Sequence, residues 1–329
     1  MTRHRACLAL VTILLLSLTP HARGQSPDPP TRKTRALVLS GGGPICEAWE
    51  SGLVAGMADK GVNLSRADLI VGTSAGSIVG AQLAMTRAPS SMRALEAARQ
   101  ASMPPPPPSG AESPPPMLDE AMLGKKLSDI AEGKRPPEQV RGEIGAWALS
   151  AHAVMSEDAF VAIFARLFPD KAWPQTPFEC VAVNADDGSI KIFSKDSGVD
   201  LAHAVAASCA VPGIFPPITI DRHRYMDGGM RSLTNADLAR GYKAVIVFNF
   251  IASPGTTKIA KSFGALSDRE LKVLRDSGST VESITPDTAS LAAFGPNLQD
   301  PSRRPAAYAA GVEQGRREAT KLKSIWNPR

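Results

Sequence analysis

Ser74 lies at the centre of the sequence GTSAG, residues 72–76, which has the Gly-x-Ser-x-Gly pattern of a nucleophile elbow. An apolar run at 67–71 precedes this pattern, and small and apolar residues follow it at 77–84. This order predicts a strand, a sharp turn that glycines permit, and a helix. A serine hydroxyl exposed at such a turn can attack an acyl carbon once a base takes its proton, and the helix N-terminus stabilises nearby negative charge.

Two further motifs contain residues that suit the same chemistry. A glycine run at 41–43 follows a buried-strand pattern at 36–40, and Asp227 is followed by two glycines at 228–229. A carboxylate within hydrogen-bond reach of a serine hydroxyl can act as a general base, and partial burial raises its proton affinity. Attack on an ester creates an oxyanion, which the free N–H groups of a glycine-rich backbone can stabilise.

In this order, the three motifs resemble those of the patatin-like phospholipase family. The resemblance covers roughly residues 35–250, and the sequences AWESG at 48–52 and ASCAVPGIFPP at 207–217 strengthen it. It implies an α/β fold of three layers, α/β/α, with a mostly parallel central sheet. It also implies a serine acyl-ester hydrolase that acts on lipids, of the phospholipase or lysophospholipase type.

The resemblance further implies a Ser–Asp dyad, with Ser74 as the nucleophile and Asp227 as the general base. By the same resemblance, the glycine run is the oxyanion-hole loop, and the backbone N–H of Ala75 is expected to assist it. The other expected site residues are the oxyanion-hole glycines Gly41, Gly42 and Gly43 and the motif glycines Gly72, Gly76, Gly228 and Gly229. No metal or organic cofactor is implied, and the expected partner is a lipid or acyl-ester substrate at a membrane surface.

The sequence departs from the family after the glycine run. Many members have Lys or Arg and then Gly where this chain has Ile45 and Cys46. The departure keeps open a catalytically weak, lipid-binding pseudoenzyme of the same fold. If Cys46 restricts the turn, restoring glycine there should raise turnover.

A histidine-dependent α/β-hydrolase is the other alternative. The chain has five histidines: His4, His21, His152, His203 and His223. None follows Asp227, although Asp186 or Asp200 with His203 would give the order Ser, acid, His. Because His203 falls in a short predicted helix, we interpret it as a surface or core residue.

Composition argues against several other classes of protein. Residues 1–24 contain three arginines and no acidic residue, so 34 basic residues face 32 acidic ones in the rest of the chain, a net charge of +2. The sequence contains no dense Lys/Arg run with interleaved aromatic residues, so we expect no nucleic-acid partner. Cys46, Cys180 and Cys209 are widely spaced and odd in number, so we expect buried thiols. The sequence carries no signal of the oligomeric state.

The N-terminus is typical of a secretory signal peptide. Arg3 and Arg5 precede an apolar segment, 7–18, that is short for a membrane span, and the sequence ARG at 22–24 offers a cleavage site. We therefore expect residues 1–24 to be a signal peptide and the protein to be periplasmic or secreted. An uncleaved anchor is the alternative.

The rest of the chain is predicted to be a polar leader, 25–34, followed by a single patatin-like domain, 35–329. Within that domain we distinguish the motif-bearing core 35–250, which contains a proline-rich insertion at 101–117, and a C-terminal extension at 251–329. Alternating strand and helix patterns predict a mostly parallel sheet with helices on its faces. Beyond the elbow, we expect helices near 46–60, 118–132, 139–149, 156–167, 201–208, 264–275 and 303–325 and strands near 179–184, 189–194, 218–220, 224–226, 244–250 and 280–284.

Overall fold

An eight-stranded mixed sheet forms the centre of the computed structural model, which describes residues 34–102, 119–250 and 257–327. The strands are β1 (Arg35–Leu39), β2 (Leu69–Thr73), β3 (Phe178–Asn184), β4 (Ile190–Phe193), β5 (Ile218–Ile220), β6 (His223–Asp227), β7 (Ala244–Phe248) and β8 (Thr280–Ile284). Along the sheet the order is β5-β6-β3-β2-β1-β7-β8, with β4 paired to β3. The pairs β1–β2, β1–β7, β2–β3 and β7–β8 are parallel, and the others are antiparallel.

Helices cover both faces of this sheet. They are α1 (Gly43–Asp59), α2 (Ala75–Thr86), α3 (Ser91–Ala101), α4 (Glu120–Ala131), α5 (Pro137–Ser150), α6 (Glu157–Leu167), α7 (Leu201–Ser208), α8 (Lys258–Asp276), α9 (Thr288–Phe294) and α10 (Arg304–Trp326). Alternate residues of β1 show the two layers: Leu37 packs in the core that includes α1, α2 and α10, whereas Val38 packs with Leu274 of α8. Buried strands with near-continuous apolar sequences suit a sheet covered on both faces.

The register of β3 determines where the ends of its neighbours lie. Val181 and Ala182 both pair with β4 along one edge of β3. On the other edge, Val181 pairs with Thr73 of β2, and the next residue, Ala182, pairs with Asp227 of β6. Strands β2 and β6 therefore share this edge end to end, and their last residues meet.

The expected fold class is confirmed: a mostly parallel sheet lies between two layers of helices. The structure adds α3 and α9, which the sequence analysis did not predict. Residues 1–24, nearly all of the leader and the proline-rich insertion beyond Ser102 lie outside the described residues, and the predicted domain limits stay predictions. Within the described ranges, no helix is both long enough and apolar enough to cross a bilayer.

Candidate active site

Ser74 occupies the turn between β2 and α2 in a backbone conformation that non-glycine residues rarely adopt. Its φ is 51° and its ψ is −120°, and its side chain is almost completely buried. Three hydrogen bonds of Ser74 hold this turn. Its amide donates to the Ser208 hydroxyl at 3.0 Å, and its carbonyl oxygen accepts from the Ser77 hydroxyl at 2.6 Å and from the Ser77 amide at 2.8 Å. Strain of this kind, roughly 1–3 kcal/mol, persists only where surrounding contacts fix it.

The glycines beside Ser74 are required by close backbone approach. A Cβ added at Gly76 would lie 2.4 Å from the Leu39 carbonyl oxygen, and one at Gly72 would lie 2.6 Å from the Gly76 carbonyl oxygen. The Gly76 amide also donates to the Ser40 carbonyl oxygen at 3.0 Å. The elbow is therefore packed directly against the end of β1, from which the glycine run begins.

Asp227 ends β6 beside this elbow and is 3% exposed. Its Oδ1 accepts a hydrogen bond from the Gly229 amide at 2.6 Å, whereas Oδ2 is buried and has no hydrogen-bond partner among the described residues. Gly228 is needed for this approach because a Cβ there would lie 2.3 Å from the Val181 carbonyl oxygen. One carboxylate oxygen is thus held in place, and the other is left without a partner.

Burial raises the pKa of the Asp227 carboxyl to about 6, and the nearby Ser74 hydroxyl and the hydrogen bond from the Gly229 amide oppose this rise. Within the described part of the chain, no hydrogen bond of ordinary geometry joins the Ser74 hydroxyl to Oδ2, but the hydroxyl lies close enough to lower the pKa of the carboxyl. Catalytic hydrogen bonds are often long before substrate binds. A carboxylate with raised proton affinity beside a serine hydroxyl can accept its proton.

The residues of the predicted oxyanion hole differ in how their amides are bonded, and their role stays a prediction. The Gly41 amide donates to the Leu233 carbonyl oxygen at 2.9 Å, so it already has an acceptor. Gly42 caps α1, Gly43 is its first residue, and Ala75 is the first residue of α2. Amides at these positions have no acceptor within their own helix, and the helix dipole favours negative charge beside them.

The departures at Ile45 and Cys46 lie inside α1, and both side chains are fully buried. The backbone at Cys46 is helical, whereas the left-handed φ in this loop, 72°, belongs to Gly43. The turn itself therefore places no demand for glycine at position 46. A cation reaches the loop from elsewhere: the guanidinium of Arg304, at the start of α10, donates to the Pro44 carbonyl oxygen at 2.9 Å.

The described histidines do not provide a base for Ser74. His203 lies in the first turn of α7, where its Nδ1 pairs with Oδ2 of Asp200 at 2.7 Å. Across residues 34–102, 119–250 and 257–327, no histidine forms a hydrogen bond with Ser74, and no cluster of three or more His, Cys, Asp or Glu side chains could hold a metal ion. Cys46, Cys180 and Cys209 are buried free thiols, as predicted.

Two polar residues at the site were not singled out from the sequence. Ser208, at the end of α7, accepts the amide hydrogen of Ser74, and Asn235 contacts both Thr73 and Gly228. Ser208 falls within the segment 207–217 that contributed to the family resemblance. The resemblance therefore indicated that this segment matters, but it did not predict the hydrogen bond between Ser208 and Ser74. No local pattern marked Asn235.

A family model described as patatin-like phospholipase matches residues 37–240, which is more than half of the chain. The chain therefore belongs to the patatin-like phospholipase family. Membership supports lipid acyl hydrolysis as its general activity and a lipid as its substrate.

Among solved structures, the chain is similar to VipD from Legionella pneumophila, with 14% identity, a TM-score of 0.41 and coverage of 89% of this chain and 67% of that one. It is also similar to the type III effector protein ExoU, with 14% identity, a TM-score of 0.38 and coverage of 89% of this chain. The matched region spans about half of the ExoU chain, 53%. No curated protein gives a significant match.

Proposed function

We propose that this protein is a serine acyl-ester hydrolase of the phospholipase or lysophospholipase type, with Ser74 as its nucleophile and Asp227 as its general base. The observation that carries the proposal is the buried, unpartnered Oδ2 of Asp227 beside the strained elbow of Ser74. Burial raises the pKa of this carboxyl to about 6, which leaves it ionised at neutral pH yet more basic than an exposed aspartate.

The reaction proceeds through an acyl-enzyme. Asp227 accepts the hydroxyl proton of Ser74 as Oγ bonds to the acyl carbon, and the proton then passes to the departing alcohol oxygen as the ester bond breaks. A water molecule attacks the acyl-enzyme, Asp227 accepts a proton from that water, and Ser74 recovers its proton as the fatty acid leaves. Each proton that Asp227 takes up is returned, so no cofactor is required.

The oxyanion formed in each step is stabilised by backbone amides. Gly42, Gly43 and Ala75 supply the N–H groups, since the Gly41 amide is already bonded to Leu233. Two helix N-termini thereby face the developing charge, and preorganised donors of this kind are worth several kcal/mol in a site that excludes water. These donors belong to the backbone, so the presence of Ile45 in place of the family's basic residue does not remove any of them.

The proposal is tested by hydrolysis of a chain-length series of acyl esters and of phospholipid vesicles. Ser74→Ala and Asp227→Asn should each lower kcat by roughly 10³-fold or more while the protein remains folded, because each removes a group that participates in the bond-making step. The substrate that the wild type hydrolyses best would then identify the lipid class and the ester position.

His203→Ala is the matched control for this experiment, because His203 is paired with Asp200 and takes no part in the proposed reaction. Its activity should equal that of the wild type. Loss of activity in His203→Ala with an active Asp227→Asn would instead indicate a histidine-dependent hydrolase. A wild type no faster than Ser74→Ala, but still bound to vesicles, would indicate a lipid-binding pseudoenzyme.

We also propose that the protein acts in the periplasm or outside the cell. The support is the pattern of residues 1–24 in the sequence, where basic residues, a short apolar segment and a cleavage site occur in order. N-terminal sequencing of the exported protein tests this proposal: a mature chain starting near Gln25 supports it, and an intact Met1 in the cytoplasm contradicts it.

A further inference from the structure

Asn235 is a buried polar residue that contacts the chain neighbours of both residues of the proposed dyad. It has no exposed surface, and its φ of 49° lies in the left-handed region, which asparagine tolerates better than most residues. Its Nδ2 donates to the Thr73 hydroxyl at 2.9 Å and to the Ser232 carbonyl oxygen at 2.7 Å, with a longer contact of 3.4 Å to the Gly228 carbonyl oxygen. One side-chain amide therefore joins the strand before Ser74 to the loop after Asp227.

The orientation of this amide is fixed by its other end. Oδ1 of Asn235 accepts a hydrogen bond from the Arg231 guanidinium at 2.6 Å, and a guanidinium can only donate. Nδ2 must therefore face the three oxygens. Arg231 is held in turn by Asp237, to which Nη1 donates at 2.9 Å.

We propose that Asn235 is a positioning residue for the reaction: by joining Thr73 to the loop at Gly228, it sets the distance between the Ser74 hydroxyl and Oδ2 of Asp227. This inference rests on the proposed function. The two residues that Asn235 joins, Thr73 and Gly228, are the immediate chain neighbours of Ser74 and Asp227.

The physical basis is that the ends of β2 and β6 meet without bonding to each other. Both strands pair with β3, but at the junction each has reached its last residue, so backbone pairing alone leaves the gap between them adjustable. A misplacement of about 1 Å in a reacting group can lower a rate by roughly 10²-fold. The Asn235 amide spans this junction, and its full burial protects its hydrogen bonds from competition with water.

Thr73 offers the cleaner test, because Thr73→Val keeps the side-chain shape and replaces the hydroxyl that accepts from Nδ2 with a methyl group. We expect Thr73→Val to lower kcat by about 10-fold with KM unchanged, and Thr73→Ser, which keeps the hydroxyl, to restore most of the rate. Asn235→Asp places a carboxylate against three oxygens and should lower kcat by roughly 10²-fold. The double variant should be no slower than Asn235→Asp, because the two residues act through one contact.

The readouts separate positioning from a purely structural role. Activity is divided by the folded fraction, which urea unfolding measures. The matched control is Thr176→Val, because Thr176 is also a buried threonine but lies just before the start of β3; this variant should keep the wild-type kcat. In Thr73→Val the acid limb of the kcat profile should move to higher pH, because a displaced Ser74 hydroxyl no longer lowers the pKa of Asp227.

A folded Thr73→Val with wild-type kcat and pH profile overturns the inference, as does a Thr73→Ser as slow as Thr73→Val. Failure of the proposed function would look different: Ser74→Ala would then be as active as the wild type, whatever Thr73→Val does. A dead Ser74→Ala with a fully active Thr73→Val would therefore reject the positioning role alone.

Discussion

The backbone amide of Ser74 donates a hydrogen bond to the side-chain hydroxyl of Ser208 at 3.0 Å, across 134 residues of sequence. Ser208 ends α7 and is fully buried, so this hydroxyl reaches the elbow from the helix that precedes the β5–β6 hairpin. It satisfies an amide that the strained turn leaves without a backbone partner, and an unsatisfied buried amide costs about 1–3 kcal/mol.

Ser208→Ala should therefore lower both stability and turnover. We expect a loss of about 1–3 kcal/mol in the free energy of unfolding, and a decrease in kcat because the elbow can relax from its strained conformation. Ser262→Ala is the control: it is also a buried serine, but its hydroxyl bonds to Lys258 of its own helix, far along the chain from the elbow. Urea unfolding measures the stability of both variants, and an ester-hydrolysis assay measures their kcat. Equal losses of kcat in the two variants would contradict a specific role for Ser208.

Asp227 should set the acid limb of the activity profile. Because burial raises its pKa to about 6, the carboxylate that accepts the serine proton is present above that pH and is lost as pH falls through it. We expect kcat/KM for a neutral ester to decrease about tenfold per pH unit below pH 6. An acid limb near pH 4, where an ordinary aspartate titrates, would contradict the proposal that buried Asp227 is the general base.

The same burial predicts a gain in stability when the charge is removed. The folded-state pKa of Asp227 lies above its unfolded value, so the folded protein binds the proton more tightly and the ionised carboxylate opposes folding above about pH 6. Asp227→Asn should be more stable than the wild type at pH 8, by up to about 3 kcal/mol. The difference should vanish below pH 4. Urea unfolding at pH 4, 6 and 8 measures it, and a difference independent of pH would refute the argument.

Local patterns in the sequence predicted the elements that carry the site. Glycines at tight turns, apolar strand runs and helical patterns predicted most strands and helices to within a few residues. The meeting of Ser74 and Asp227 could only be inferred by resemblance, because it arises from the register of two strands on one edge of β3.

Contacts between distant residues account for what the sequence could not predict. Asn235 and Thr73 are separated by 162 residues, and Arg304 and Pro44 by 260, so no periodicity or motif reports either pair. The hydrogen bond from the Gly41 amide to the Leu233 carbonyl oxygen is of the same kind, since these residues are also far apart in the sequence. Such hydrogen bonds depend on the tertiary arrangement of the chain. The type of residue at a single position does not determine that arrangement.

Cys46→Gly tests the expectation that glycine at position 46 raises turnover. The structure removes the reason for that expectation, because Cys46 is helical and fully buried, and its thiol lies 3.5 Å from the Ser40 carbonyl oxygen. Glycine inside a helix costs about 1 kcal/mol relative to alanine, and the lost side chain leaves a cavity. We therefore expect lower stability and no gain in kcat per folded molecule; a faster variant would show that Cys46 does restrict the loop.

Arg304 should stabilise the glycine loop from the C-terminal extension. The Arg304 side chain is 3% exposed, and its guanidinium donates to the Pro44 carbonyl oxygen and pairs with Glu47 at 3.0 Å and with Glu96. Arg304→Met leaves two buried carboxylates without this partner, and breaking a buried ion pair costs roughly 3–5 kcal/mol. Because Pro44 follows Gly43 directly, we also expect kcat per folded molecule to decrease.

Arg316→Met is the matched control for Arg304→Met, because Arg316 lies on the same helix and pairs with Asp59 at the surface, where its side chain is 38% exposed. An exposed ion pair contributes about 0–1 kcal/mol, so this variant should unfold at nearly the wild-type urea concentration and keep its kcat. Similar losses of stability in both variants would mean that burial of Arg304 matters less than its charge. A destabilised Arg304→Met with unchanged kcat per folded molecule would restrict Arg304 to holding α10 against α1.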